Sequence, residues 1–277
     1  MPSRLDDAVR LQPALGPAAA SLRALLAAMR AVVVDLPPDV PDLEAAAARL
    51  HGGVPALTGE PILDGAGLLA GLRAMCARLG AEPGGGNALG ALSAVEAALR
   101  TGRPRADVDA FARAATAGDW DEVLAIAPQL DVDEYALVTA LDYAARPALR
   151  AAASRVTALI ANARWERGAC PACGAPPLLA ERHGKEEGRL LRCGRCASAW
   201  PFPRVGCPAC GERDHRRLGA LHGEGEADYR RAEYCEQCRI YLKTVAVLDP
   251  LTPDGVIEED LATAALDLAA VERGYHR

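Results

Sequence analysis

A chain of 277 residues and 29.0 kDa, with 31 basic and 37 acidic side chains and a net charge of −6, has room for one large domain or two smaller ones. That mildly acidic balance argues against a sequence-blind nucleic-acid binder, which needs strong basicity. Lys185 and Lys243 are the only lysines beside abundant arginine and alanine, a pattern of coding bias rather than of function.

The first residues carry acids and prolines where an export signal needs a cationic start and an unbroken apolar run. The richest apolar stretch, 22–36, is interrupted by Arg23 and Arg30 and is too short to span a bilayer. A cytoplasmic location without membrane insertion is therefore predicted.

From the start to about residue 162 the pattern is helical. Leu22, Leu25, Leu26, Met29 and Val33 recur at three- and four-residue spacing, and the run ends at Pro37-Pro38. Further helices are predicted over 43–50, 65–79, 87–99, 106–117 and 119–127, the last opened by Asp119 as N-cap. The longest pattern covers 131–164 and contains Pro147, which should kink or split it. Cys76, within the 65–79 helix, reads as a small buried apolar residue.

Composition shifts at Trp165: apolar residues thin out and Gly, Arg and Glu rise. Short β-like runs appear at 178–181 and 189–192, a better strand at 240–248, a turn-rich connection at 249–255 and a closing helix over 258–271. Between them, eight of the nine cysteines fall as four CxxC pairs: Cys170/Cys173, Cys193/Cys196, Cys207/Cys210 and Cys235/Cys238. CPACG opens at Cys170 and again at Cys207, so the segment is an internal repeat.

Two thiolates three positions apart can grip one ion from a tight turn, and two such turns close a tetrahedral site. Pairing in chain order leaves 19 residues between the first two turns and 24 between the last two. That order is favoured; crossed pairing, the first turn with the third, is the alternative. In a reducing compartment metal ligation is favoured over disulfides.

A segment so poor in apolar side chains needs metal to fold, and a structural zinc supplies roughly 10 to 16 kcal/mol against a domain stability of about 5 to 15. Zinc and iron both suit four thiolates. With every coordination position filled, no open site remains for metal-assisted hydrolysis, and no phosphate-cradling loop or Ser/His/Asp grouping is present, so no catalytic residue is predicted.

Gly174 and Gly211, after the second cysteine of each opening turn, fit a backbone at positive φ. Arg189, Arg192, Arg195 and Arg204 can offset the −2 charge of a four-thiolate site or simply form a solvated surface. His183, His215 and His222 lie in the ribbon loops but are not needed as ligands. Trp200 and Tyr241 are expected to pack over the metal turns. The stretch 182–217 holds nine basic residues against four acidic ones, yet few aromatics for base stacking, so nucleic acid is disfavoured though kept as an alternative beside a redox carrier.

These residues resemble the formate dehydrogenase accessory protein E (FdhE) family. Beyond the four CxxC pairs, the resemblance rests on Pro176, Trp200, Arg204, Ala232-Glu233, Tyr241-Leu242-Lys243, Asp249-Pro250 and Asp260-Leu261-Ala262, and it covers about 165–271. It implies a mainly α, α+β protein: an all-α domain over 1–164, two rubredoxin-like or zinc-ribbon modules over 165–204 and 205–248, and a turn with a C-terminal helix over 249–277.

It further implies a non-catalytic maturation factor that binds the catalytic subunit of a molybdenum-type formate dehydrogenase in the cytosol before export. Two ions, iron or zinc, would each be held by four of the eight cysteines. A homodimer is left open. The loop between Cys210 and Cys235 departs from the family pattern, carrying Gly and His where an aromatic is common in relatives.

Overall fold

A computed structural model describes residues 4–101, 107–183, 188–222 and 229–277. Lys185, and Ala106 at the head of one expected helix, lie outside them. The chain divides into two compact units: Ala14–Arg49 with Ala56–Val156, and Met1–Pro13 with Leu50–Pro55 and Thr157–Arg277. The sequence boundary at 164 thus differs from the observed division, in which the first residues of the chain belong with the cysteine-bearing part.

The first unit is helical: α2 (Gly16–Arg30), α3 (Leu43–His51), α4 (Gly65–Leu79), α5 (Gly86–Thr101), α6 (Val108–Ala117), α7 (Trp120–Ile126) and most of α8 (Glu134–Asn162), with α1 (Arg4–Leu11) in the other unit. Packing centres on α4, which contacts α2, α5 and α6. Leu68, Leu72, Met75 and Leu79 make its buried stripe, one residue every three or four positions. Asp64 caps α4 by accepting from the Gly67 N–H at 2.7 Å, and Asp119 caps α7 in the same way, as its sequence position predicts.

Two expectations here are corrected. α2 stops at Arg30, so Val33 lies beyond the helix and is 93% exposed; three consecutive valines, 32–34, favour extended backbone over another helical turn. Pro147 does not split its helix, because α8 runs through it unbroken. The proline removes one backbone donor, but Leu141, Ala144, Ala145, Ala148 and Leu149 are all buried around it, and that packing outweighs one lost hydrogen bond.

The second unit is built on a six-stranded sheet: β1 (Leu179–His183), β2 (Gly188–Arg192), β3 (Ala199–Pro201), β4 (Leu218–Leu221), β5 (Arg230–Cys235) and β6 (Tyr241–Val247), in the spatial order β3-β2-β1-β6-β5-β4. All neighbours are antiparallel except β1 and β6, which pair in parallel with Ala180 opposite Thr244. Each half-sheet is an antiparallel meander belonging to one cysteine repeat, and the parallel seam fuses them. The segments 165–204 and 205–248 therefore share one sheet.

α9 (Pro253–Ala262) and α10 (Ala264–Glu272) follow where a single helix over 258–271 was predicted. The helix begins earlier because Thr252 caps it, accepting from Gly255, with Pro253 in the first turn. It breaks at Thr263, whose hydroxyl donates back to the Glu259 carbonyl at 2.8 Å while its backbone leaves helical geometry. Leu266 and Ala270 then bury against Ala232, Tyr241 and Tyr275.

Candidate metal centres

Three of the four CxxC pairs fold into the same two-bond knuckle, and the fourth shares its first bond. The Cys170 N–H donates to the Ala175 carbonyl at 2.8 Å, and the Gly174 N–H returns to the Cys170 carbonyl at 2.9 Å. The same two bonds recur at Cys207, with Glu212 and Gly211, and at Cys235, with Ile240 and Arg239; Cys193 donates to Ser198 at 2.9 Å. In all four knuckles the residue after the second cysteine has positive φ: Gly174 at 79°, Ala197 at 66°, Gly211 at 78° and Arg239 at 62°.

The glycine expectation thus holds for the two opening turns. The closing turns make the same bend with side-chain-bearing residues, at a cost of about 1 to 2 kcal/mol each. Ala197 and Arg239 went unnoticed because only their position relative to the cysteines, not their type, marks them.

The knuckles meet in chain order. The sulfurs of Cys170, Cys173, Cys193 and Cys196 lie within 4.8 Å of one another, and so do those of Cys207, Cys210, Cys235 and Cys238. Cys170 and Cys196 approach to 3.5 Å, Cys173 and Cys193 to 3.6 Å, Cys207 and Cys238 to 3.6 Å, and Cys210 and Cys235 to 3.7 Å. A tetrahedron with metal–sulfur bonds of about 2.3 Å has edges of about 3.8 Å, so both groups fit a four-thiolate ion. A disulfide needs about 2.05 Å, and all the cysteines are free thiols.

The electrostatics favour cation binding. Burial pushes the Cys170 thiol well above its ordinary value, and burial chiefly raises Cys207 to about 12. Hydrogen bonds from Cys170, Cys173 and Cys196 hold Cys193 well below its ordinary value. Four clustered sulfurs cannot all ionise against one another, whereas a divalent cation between them reverses that penalty and releases their protons.

Neighbouring cations do less than expected. Arg192 forms a buried pair with Glu181 and donates to the Leu251 carbonyl at 2.8 Å. Arg189 donates to the Gly206 carbonyl at 2.8 Å, beside Cys207, and pairs with Glu233 at 3.0 Å. His183 bonds Glu181 at 2.7 Å, while His215 and His222 are exposed; among the described residues no histidine joins either sulfur group.

Trp200 is fully buried and its indole N–H donates to the Arg167 carbonyl at 3.2 Å, pinning the segment that leads into Cys170. Tyr241 packs against Leu266, Ala270 and Tyr275, on the side where α10 lies, and its hydroxyl donates to Asp267 at 2.8 Å. Cys76 is half-buried rather than buried, because the packed stripe of α4 runs through Met75; the Ser93 hydroxyl lies 3.6 Å from its sulfur. A side chain at Gly168 would collide with the Pro208 carbonyl, inside the second opening knuckle, so the lead-in to one centre rests on the backbone of the other.

A family model described as "FdhE, C-terminal domain" matches residues 205–277. An FdhE homologue of Stutzerimonas stutzeri is 39% identical over 118 residues, covering 41% of this chain and 37% of its own length. FdhE of Escherichia coli is 32% identical over 114 residues, 40% of this chain and 36% of its own. In sequence, then, the chain matches little more than a third of the length of these relatives. The crystal structure of the FdhE protein from Pseudomonas aeruginosa is similar over 99% of this chain and 90% of that one, with a TM-score of 0.65 and 26% identity. The part of the chain that carries the sulfur groups is thus similar in sequence to FdhE proteins, and the chain as a whole is similar in fold to a solved one.

Several FdhE landmarks of the sequence turn out to be neighbours. The Lys243 ammonium is fully buried, donating to Asp260 at 2.8 Å and Asp267 at 2.7 Å; Tyr241 shares Asp267, and Arg277 reaches Asp260 at 2.6 Å. The landmarks in β6 and α9 therefore form one polar anchor between the sheet and its two helices.

Proposed function

We propose that this protein is a member of the FdhE family and a non-catalytic maturation factor that binds the catalytic subunit of a respiratory, molybdenum-type formate dehydrogenase in the cytoplasm before export. In this reading residues 165–204 and 205–248 each supply one centre, and Cys170, Cys173, Cys193, Cys196, Cys207, Cys210, Cys235 and Cys238 hold two ions, iron or zinc. Four thiolates around each ion leave no vacancy for substrate, so the centres stabilise the shape of a recognition unit. The observation that carries the reading is the whole-chain likeness to a solved FdhE structure, together with two complete four-sulfur groups. No helix among the described residues is long and apolar enough to cross a membrane.

In a strain lacking this protein, formate dehydrogenase activity should disappear while the catalytic subunit is still made, and the tagged protein should co-purify with that subunit. Normal activity in that strain would overturn the reading. Metal analysis of protein isolated without oxygen should give two equivalents per chain.

A further inference from the structure

After α10 the chain turns back onto the closing knuckle of the second centre. Gly274, at a φ of 76°, reverses its direction, and its N–H donates to the Val271 carbonyl at 2.9 Å. His276 then runs parallel to Ile240: its N–H donates to the Arg239 carbonyl at 2.9 Å, and its carbonyl accepts from the Tyr241 N–H at 3.0 Å. The Tyr275 hydroxyl donates to Glu236 at 2.6 Å, while its ring stacks on Tyr234 at 4.5 Å.

Glu236, Arg239 and Ile240 all belong to the knuckle that carries Cys235 and Cys238. Arg239 is gripped most. Its guanidinium carbon lies 4.1 Å from the centre of the Tyr275 ring, and the group donates to the Arg273 carbonyl at 2.8 Å. It is also the residue at a φ of 62°, a backbone that a side-chain-bearing residue keeps only when its surroundings hold it there. Relaxation of Arg239 would carry the adjacent Cys238 with it. Cys238 is half-buried and Cys210, across the same sulfur group, is exposed, whereas Cys193 and Cys196 in the matching knuckle of the first centre are both buried.

We propose that residues 273–277 are a strap over the second centre, with Tyr275 and Arg239 as its positioning residues. Fastened, the strap holds Cys238 in the sulfur group; lifted, it makes the second ion exchangeable while the first stays bound. On opening, Arg239 returns to ordinary backbone, and Cys238 takes a proton from water and yields its ion to a competing ligand. The proposal rests on the reading that each sulfur group holds one ion, and it can fail separately from that reading.

The test uses the full chain loaded with zinc, with the chelator 4-(2-pyridylazo)resorcinol in excess as the competing ligand. Absorbance should report one ion released fast and one slowly. N-ethylmaleimide added after the fast phase should mark Cys207, Cys210, Cys235 and Cys238 and spare the ligands of the first centre. Tyr275→Ala should speed the fast phase about five- to thirtyfold, the factor that corresponds to the strain of one side-chain-bearing residue at positive φ, and leave the slow phase unchanged. Tyr275→Phe, which keeps the ring and loses only the bond to Glu236, should speed it several-fold at unchanged melting temperature. Adding Arg239→Gly to Tyr275→Ala should restore slower release, because glycine holds positive φ without help; a tyrosine that merely supports the fold would give no such rescue. Equal acceleration of both phases, an unchanged fast phase in both tyrosine variants, or no rescue by glycine would each overturn the strap. A chain that takes up fewer than two zinc equivalents would instead refute the two-ion reading, and the strap with it.

Discussion

The two sulfur groups begin with the same five residues and close to nearly the same dimensions, yet they sit in different surroundings. In the first, Cys170, Cys193 and Cys196 are buried and Cys173 is half-buried, and a side chain at Gly194 would meet Leu178 while one at Gly174 would meet Pro55. In the second, Cys210 is exposed, Cys238 is half-buried, nothing lies within 4 Å of the site a Gly211 side chain would occupy, and a cavity opens at Cys207 and Cys235. A repeated motif therefore fixes ligand geometry locally, while access to the ligands depends on what the rest of the chain lays over them.

The largest effect that can break this comparison is loss of a ligand. Cys170→Ser should remove the first ion and unfold the 157–277 unit, since metal binding of roughly 10 to 16 kcal/mol is comparable to the whole stability of a domain. Cys210→Ser should cost one ion but leave the buried centre loaded. Metal analysis and circular dichroism melts would check both, and equal damage from the two substitutions would erase the distinction. On the unaltered protein, iodoacetamide should label the exposed Cys210 at least tenfold faster than the buried ligands Cys170, Cys193, Cys196, Cys207 and Cys235, read by peptide mass spectrometry.

Next come buried charges under each half of the sheet, among them Arg192 with Glu181 in the first and Lys243 with Asp260 and Asp267 in the second. Removing Lys243 leaves Asp260 and Asp267 with only the half-buried Arg277 to offset them, so Lys243→Met should lose about 3 to 5 kcal/mol in denaturant unfolding. Burial raises the Asp260 pKa, but Lys243 and Arg277 override it and hold the group below the usual carboxylate range. A carboxylate whose folded pKa is depressed contributes stability above its unfolded value of about 3.9 and loses it as pH falls through the folded value. Stability should therefore decline below about pH 4, and less steeply in Lys243→Met.

The contact between the halves is tested by Gly168→Ala, whose methyl group would meet the Pro208 carbonyl; a loss of about 1 to 3 kcal/mol in the melt is expected, with both centres affected. Smallest is Ala197→Gly, which relieves positive φ in a closing knuckle and should stabilise the first centre by about 1 kcal/mol.

The helical unit and the cysteine unit were legible to different degrees. In the first, α4 and α7 matched their predicted spans closely, because Asp64, Asp119 and the Leu68-to-Leu79 stripe are local signals. In the second, β1, β2 and β6 carried apolar runs that could be read, whereas β3, β4 and β5 could not. The β5 sequence RRAEYC has no strand-like alternation of its own; it pairs because Cys235 is tied to a knuckle and β6 lies alongside. The helix break at Thr263 and the cavity beside the second centre were likewise silent.

By itself the sequence determined that four CxxC turns exist, that they carry eight thiols and that a helical body precedes them, because a CxxC turn and an amphipathic helix are set by residues within a few positions of one another. Only the tertiary structure decided that the two ribbons fuse through the parallel β1–β6 seam, that Lys243 is buried between two aspartates, and that one sulfur group is enclosed while the other is open. Those outcomes depend on burial and on partners tens of residues away, and no local pattern encodes them.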